Sequence, residues 1–227
     1  MQPQLIEFYA NAACEVGYLA RPAGEGIGAG VVVVQEWWGL DAHIKSIADR
    51  FADAGFVALA PDFYRGQVAK EPDEARKLSM ELQYPQAQAV MQGAVNYLLG
   101  QPFVQPNKVG IIGFCMGGRL SSIFATSAQS LSAAVAFYGV PPLSDEQAAQ
   151  MTAPLLAIYG ETDSGFPPSV VEENNRKLTV AGKPHEVIVY PGAPHAFFND
   201  TRPNIYNKEA ADNAWERTVA WFQQYLK

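Results

Sequence analysis

The stretch Val109-Gly110-Ile111-Ile112-Gly113-Phe114-Cys115-Met116-Gly117-Gly118-Arg119 restricts the fold more than any other part of the chain. An apolar run reaches Gly113, one cysteine stands at a corner, two glycines follow, and a helical pattern begins. A strand that turns sharply into a helix needs glycine wherever a Cβ would strike neighbouring backbone, and residues 113 and 117 supply it. Such a corner lifts Cys115 to the carboxyl end of its strand, beside a helix N-terminus whose N–H groups favour an anion. Gly-x-Cys-x-Gly is the spacing of a nucleophile elbow, with sulfur where a hydroxyl is usual. The same outline occurs in nucleotide-binding turns, and a buried cysteine often serves only as a small hydrophobe. The remaining sequence has to decide between these readings.

Upstream, Leu5 to Ala10 and Cys14 to Leu19 read as two short strands joined at Asn11, with Cys14 on an inward face as core filler. Arg21 to Gly30 is glycine-rich and reads as a loop. Val31-Val32-Val33-Val34-Gln35 is β-branched without alternation, the mark of a strand covered on both faces. It ends in Glu36-Trp37-Trp38-Gly39, a carboxylate and two indoles where ligands of open α/β sheets sit. Asp41 caps a helix carrying Ile44, Ile47, Ala48 and Phe51 on one stripe, and Gly55 closes it.

Phe56 to Ala60 forms the next strand, followed by a polar excursion through Asp62-Phe63-Tyr64-Arg65-Gly66. Helices are expected over Asp73 to Leu82 and Pro85 to Leu99, with Gly93 a weak point in the second. Pro102 to Asn107 reads as a loop before the elbow strand. Further strands are expected at Ala133 to Tyr138, Pro154 to Gly160 and Glu186 to Tyr190, with a helix from Pro168 to Val180. A last helix aligns Trp215, Val219, Phe222 and Leu226. Alternating strands and helices imply a mainly parallel sheet with helices on both faces, in one α/β domain over residues 1–227.

The 227 residues can bury a large core without disulfide or metal staples. A net charge of -7 with no dense basic run argues against nucleic acid as partner. Residues 1–7 show no basic leader, no apolar run is long enough to cross a bilayer, and two distant cysteines suit reduced thiols. The expected location is cytoplasmic, and the expected assembly is a monomer or small homo-oligomer.

Glu36, Cys115, Asp163 and His195 each stand just beyond a different strand, so the carboxyl edge of a parallel sheet can bring them together. The order nucleophile, acid, histidine is that of the α/β-hydrolase fold. His195 is placed to take the Cys115 proton and Asp163 to orient the imidazole. The backbone N–H groups of Met116 and Trp37 are the candidate oxyanion donors. His43, inside a helix, and His185, ahead of a strand, read as surface or packing residues. Ser121 and Ser122 lie one turn into the helix and receive no nucleophilic role.

The segments Gln35-Glu36-Trp37-Trp38-Gly39-Leu40, Leu59-Ala60-Pro61-Asp62-Phe63-Tyr64, Gly113-Phe114-Cys115-Met116-Gly117-Gly118 and Pro194-His195-Ala196-Phe197-Phe198 resemble the dienelactone hydrolases, or carboxymethylenebutenolidases. The likeness spans nearly the whole chain. It implies an α/β-hydrolase fold, no metal or organic cofactor, and hydrolysis of a small ester or lactone through an acyl-thiol intermediate on Cys115, Asp163 and His195. It also implies that Glu36 holds the resting thiol and helps to deprotonate it. Trp38, Tyr64 and Arg76 are the candidate substrate contacts.

Family members bind the substrate carboxylate with two arginines. Here the position four after His195 is Asn199, and Arg76 matches the other only loosely. Arg65, Lys77 and Arg202 are further candidate cations. Two other uses of the thiol remain open at this point. One is acyl transfer or peptide cleavage, distinguished by which acceptor takes the acyl group. The other is redox sensing, which would survive replacement of His195.

Overall fold

The computed structural model describes residues 3–128 and 130–227, so the N-terminal reading at Met1 and Gln2 lies outside the described residues. In chain order its elements are β1 (Gln4–Ala10), β2 (Ala13–Ala20), β3 (Gly28–Val34), α1 (Ala42–Asp53), β4 (Val57–Pro61), α2 (Pro72–Glu81), α3 (Tyr84–Leu99) and β5 (Val104–Phe114). There follow α4 (Met116–Phe124), β6 (Ala133–Phe137), α5 (Asp145–Gln150), β7 (Leu155–Gly160), α6 (Pro168–Val180), β8 (His185–Tyr190) and α7 (Lys208–Tyr225).

The strands form one sheet in the order β1-β2-β4-β3-β5-β6-β7-β8. The pairs β1–β2 and β2–β4 are antiparallel, and every pair from β4 to β8 is parallel. This is the α/β-hydrolase architecture. The apolar runs need cover on both sides, and two helical layers supply it. One layer packs Val90, Met91, Leu120, Phe124 and Leu178 against the sheet, and the other packs Ile44, Ile47, Phe51 and Phe222. Val31 to Val34 accordingly have no exposed surface.

Sheet order reverses at β3, whose neighbours are β4 and β5, so consecutive crossovers leave in opposite directions and open a crevice at the carboxyl edge. The register pairs Val34 with Gly113, which brings the residues just beyond these two strands to one level. β7 and β8 end in register at Gly160 and Tyr190 on the same edge.

Several local features differ from the sequence reading. Cys14 is exposed rather than inward. In β2 the inward set is Glu15, Gly17 and Leu19, and a Cβ on Gly17 would lie 2.8 Å from Leu59 Cδ1. The opposite face, carrying Cys14 and Val16, is covered by α1 only near Tyr18, whose hydroxyl bonds Asp49 at 2.9 Å. Alternation identified the two faces without saying which one the next layer covers. β5 begins at Val104, inside the segment read as a loop, and α5 was not foreseen. Gly93 does not interrupt α3: it lets the helix approach β1, since a Cβ there would sit 2.6 Å from the Tyr9 carbonyl oxygen.

Candidate active site

The elbow is built by contacts no side chain could share. A Cβ on Gly113 would stand 2.0 Å from the carbonyl oxygen of Gly117, and one on Gly117 would stand 2.4 Å from that of Val34. Between them Cys115 adopts φ 54, ψ -114 as the N-cap residue of α4. A non-glycine residue with positive φ carries a local cost that surrounding structure has to hold in place. Here the Cys115 N–H donates to Phe137 O at 3.1 Å, and the Cys115 carbonyl accepts from Arg119 N at 3.1 Å. The half-buried thiol thus stands at the first turn of α4, where N–H groups lack intrahelical acceptors.

His195 is coupled to the charge of Cys115. Its Nδ1 lies 2.7 Å from Asp163 Oδ2. Asp163 is buried, and its other carboxylate oxygen accepts from Gly165 N at 2.9 Å, which fixes the carboxylate plane. Two rings confine the imidazole: Tyr138 edge-on at 5.0 Å and Phe166 stacked at 6.5 Å. Burial pulls the imidazolium down, but the hydrogen bond to Asp163 and the charges of Cys115 and Asp163 outweigh it, pushing the group up to about 10.

Glu36 is 2% exposed. Its Oε1 accepts from the Tyr138 hydroxyl at 3.2 Å and its Oε2 from Asn199 Nδ2 at 2.9 Å. Burial drives its carboxyl upward and Asp41 adds to this; His43, the Asn199 hydrogen bond and His195 oppose it. Tyr138, fully buried, is pushed well up by burial and then by the charges of Glu36 and Cys115, so its phenol stays a donor between the two.

The Trp37 N–H donates to no acceptor among the described residues. Neighbouring Trp38 is buried, with its ring 5.2 Å from that of Trp37 and its carbonyl accepting from Ala69 N at 2.9 Å. Tyr64 is buried, its hydroxyl 3.3 Å from Met116 Sδ, and burial followed by the charge of Cys115 pushes its phenol up.

The model of the dienelactone hydrolase family matches residues 16–226. The chain belongs to that family. Relatives of similar length include Protein usf of Aquifex pyrophilus, 39% identical over 98% of this chain and 99% of its own. A protein of Aquifex aeolicus (strain VF5) named "Putative carboxymethylenebutenolidase" is 37% identical over 99% of each chain. The crystal structure of a "Putative Dienelactone Hydrolase" from Klebsiella pneumoniae subsp. pneumoniae MGH 78578 superposes with a TM-score of 0.88 at 30% identity, covering 99% of this chain and 100% of that one.

The candidate cations of this dienelactone hydrolase homologue are spread over several elements. Arg76 is exposed on α2, next to Ala75, which packs with Trp38. Arg65 pairs with Glu15 at 3.8 Å and Lys77 with Glu81 at 4.0 Å. Arg202 lies over the Trp38 ring, 3.8 Å from its centroid. Of the cations considered from sequence, Arg202 alone touches one of the candidate substrate contacts. Asn199 is turned onto Glu36 instead.

Sequence reasoning passed over Tyr138, Phe166 and the Asn199 side chain. Tyr138 ended an expected strand at the same edge as Cys115, and that position was the available signal. His185 is a surface residue, its Nε2 3.0 Å from Asn175 Oδ1. His43 is a packing residue, 3% exposed. No helix among the described residues is long and apolar enough to cross a membrane.

Proposed function

We infer that the chain hydrolyses carboxylic esters or lactones, with enol lactones of the dienelactone type as the preferred class, through an acyl-thiol intermediate on Cys115. The observation that carries this reading is a thiol at a strained strand-to-helix corner, coupled in charge to an imidazole that is itself fixed by buried Asp163 at 2.7 Å. An ordinary thiol has a pKa of about 8.5 and is mostly protonated at neutral pH. An imidazolium beside it stabilises the thiolate, and the N-terminus of α4 adds a smaller contribution of the same sign.

The thiolate sulfur attacks the substrate carbonyl carbon, and the C=O π pair moves onto oxygen. The N–H groups of Met116 and Trp37 are the donors assigned to that oxyanion; losing one such donor commonly costs about 100- to 1,000-fold in turnover. Collapse of the adduct breaks the C–O bond to the leaving group, which departs as an enolate or alkoxide and takes the proton from His195. Neutral His195 then removes a proton from water as the water attacks the thioester carbonyl. Thiolate leaves, and the acid product is released. Glu36 governs how readily the resting thiol ionises.

Sulfur is a better leaving group than an unprotonated amide nitrogen, so an adduct on a plain amide tends to expel sulfur again. An enol lactone releases a stabilised oxyanion and goes forward, which favours activated esters and lactones over peptides. The test is a panel of esters and lactones on wild type and Cys115→Ala. Hydrolysis lost with the thiol supports the reading, and hydrolysis retained refutes it.

A further inference from the structure

A cavity of about 560 Å³ lies against the β1–β2 hairpin, and its walls are residues other than Glu36, Cys115, Asp163 and His195. Cys14 and Val16 reach it from the hairpin face that α1 covers only near Tyr18, and Leu5 joins them through its pairing with Tyr18. Leu40 and, from α1, Lys45 form one side. Asp62, Arg65 and Val68, beyond β4, form the other. The volume falls in the range of small-molecule sites, and the walls mix apolar surface with a few charges, as such sites do.

Those charges are unequally engaged. Both Asp62 oxygens accept backbone donors, from Tyr64 N at 3.0 Å and Gly66 N at 2.6 Å. Glu15, also at the cavity with its side chain 6% exposed, faces Arg65 Nη2 at 3.8 Å. That contact is longer than a hydrogen bond and involves one nitrogen of a guanidinium that has five donors to offer. The Arg65 side chain is 69% exposed, so most of those donors meet solvent. Lys45 pairs with no carboxylate among the described residues. Its Nζ stands 5.9 Å from the centroid of the Tyr18 ring, and Asp49, one turn further along α1, accepts from the Tyr18 hydroxyl instead. The unspent capacity at this cavity is therefore cationic.

We propose that this cavity is a second binding site, for a small amphipathic monocarboxylate, whose carboxylate is met by Lys45 and Arg65 and whose apolar body lies along Leu5, Val16, Leu40 and Val68. Leu5, Val16 and Val68 are exposed without a ligand, and an apolar body would take that surface out of water. A bare inorganic anion would leave it wet. Glu15 and Asp62 at the same walls repel a dianion more strongly than a monoanion, which favours a carboxylate over a phosphate monoester. The site shares a turn with the catalytic crevice: Arg65 follows Tyr64, whose hydroxyl lies 3.3 Å from Met116 Sδ. The binding does not depend on the acyl-thiol reading, since Cys115 is not among the residues that line the cavity.

Cys14 reads occupancy, because it is exposed and lines the cavity. In Cys115→Ala it is the one cysteine left, so iodoacetamide, a neutral reagent, reports on this position alone. At fixed pH and ionic strength, octanoate should slow the labelling of Cys14 to a saturating limit, whereas octylamine and 1-octanol at equal concentration should not. When Lys45→Gln and Arg65→Gln are added, half-protection should require about tenfold more octanoate or more. Absence of saturable protection overturns the proposal, as does equal protection by octylamine or 1-octanol. So does an unchanged octanoate dependence in the charge-removed variant. If that variant does not fold by circular dichroism, Lys45→Gln alone decides, and an unshifted dependence there is a refutation.

Discussion

The Tyr138 hydroxyl donates to Glu36 Oε1 at 3.2 Å, joining the ends of β6 and β3 across 102 residues of sequence. The same tyrosine has φ 39 and sets its ring edge-on to His195 at 5.0 Å. One strained residue thus touches both the buried Glu36 carboxylate and the His195 imidazole. Tyr138→Phe keeps the ring but removes a donor from a buried carboxylate, which costs about 1–3 kcal/mol when the carboxylate is charged. Glu36 should then ionise only at higher pH. The acid limb of kcat/KM on p-nitrophenyl acetate is expected to move upward in pH, with the fold retained by circular dichroism.

His195 carries a pH signature in stability. Its folded value, pushed up to about 10 from an ordinary 6.5, means the native state holds a proton that the unfolded chain releases. That contribution is fully present below pH 6.5 and is lost as pH rises towards 10. The difference in urea midpoint between wild type and His195→Asn should be largest at the acid end of that window and shrink toward the alkaline end. Since the His195 side chain is 40% exposed, solvent screening keeps the effect modest.

Glycines at the elbow and at an open turn should respond differently to the same methyl group. Gly113→Ala places a Cβ 2.0 Å from backbone, and rigid backbone cannot yield, so a loss of about 3 kcal/mol or more is expected in chemical denaturation. Gly182 has nothing within 4 Å but sits at φ +65, so Gly182→Ala should cost only about 1 kcal/mol.

The sheet and its helices were legible because burial leaves a periodic trace. Val31 to Val34 announced a strand covered on both faces, and the stripe from Ile44 to Phe51 announced a helix of one layer. Cys115, Asp163 and His195 stood out as candidates because each lies shortly beyond the carboxyl end of a strand, although only the contact between Asp163 and His195 has a distance in the structure. Tyr138 and Asn199 did not, since their bonds to Glu36 span 102 and 163 positions and depend on strand order rather than local pattern. The faces of β2 were misassigned for a related reason: alternation is local, whereas the extent of α1 over the hairpin is tertiary.

Substrate selection follows from the leaving group. With one acyl group presented as an enol lactone, a p-nitrophenyl ester and an unactivated amide, kcat/KM should fall in that order, the amide lowest. Faster turnover of the amide would exclude the acyl-thiol route to lactone hydrolysis.

The most direct measurement is mass spectrometry of the peptide containing Cys115 after rapid quenching with an enol lactone or p-nitrophenyl acetate. The expected result is one acyl group on that peptide in wild type, accumulating in His195→Asn, where water attack lacks its base. None should appear in Cys115→Ala, whose hydrolysis should fall by at least about a thousandfold. Acylation at another residue, or undiminished hydrolysis in Cys115→Ala, would contradict the account.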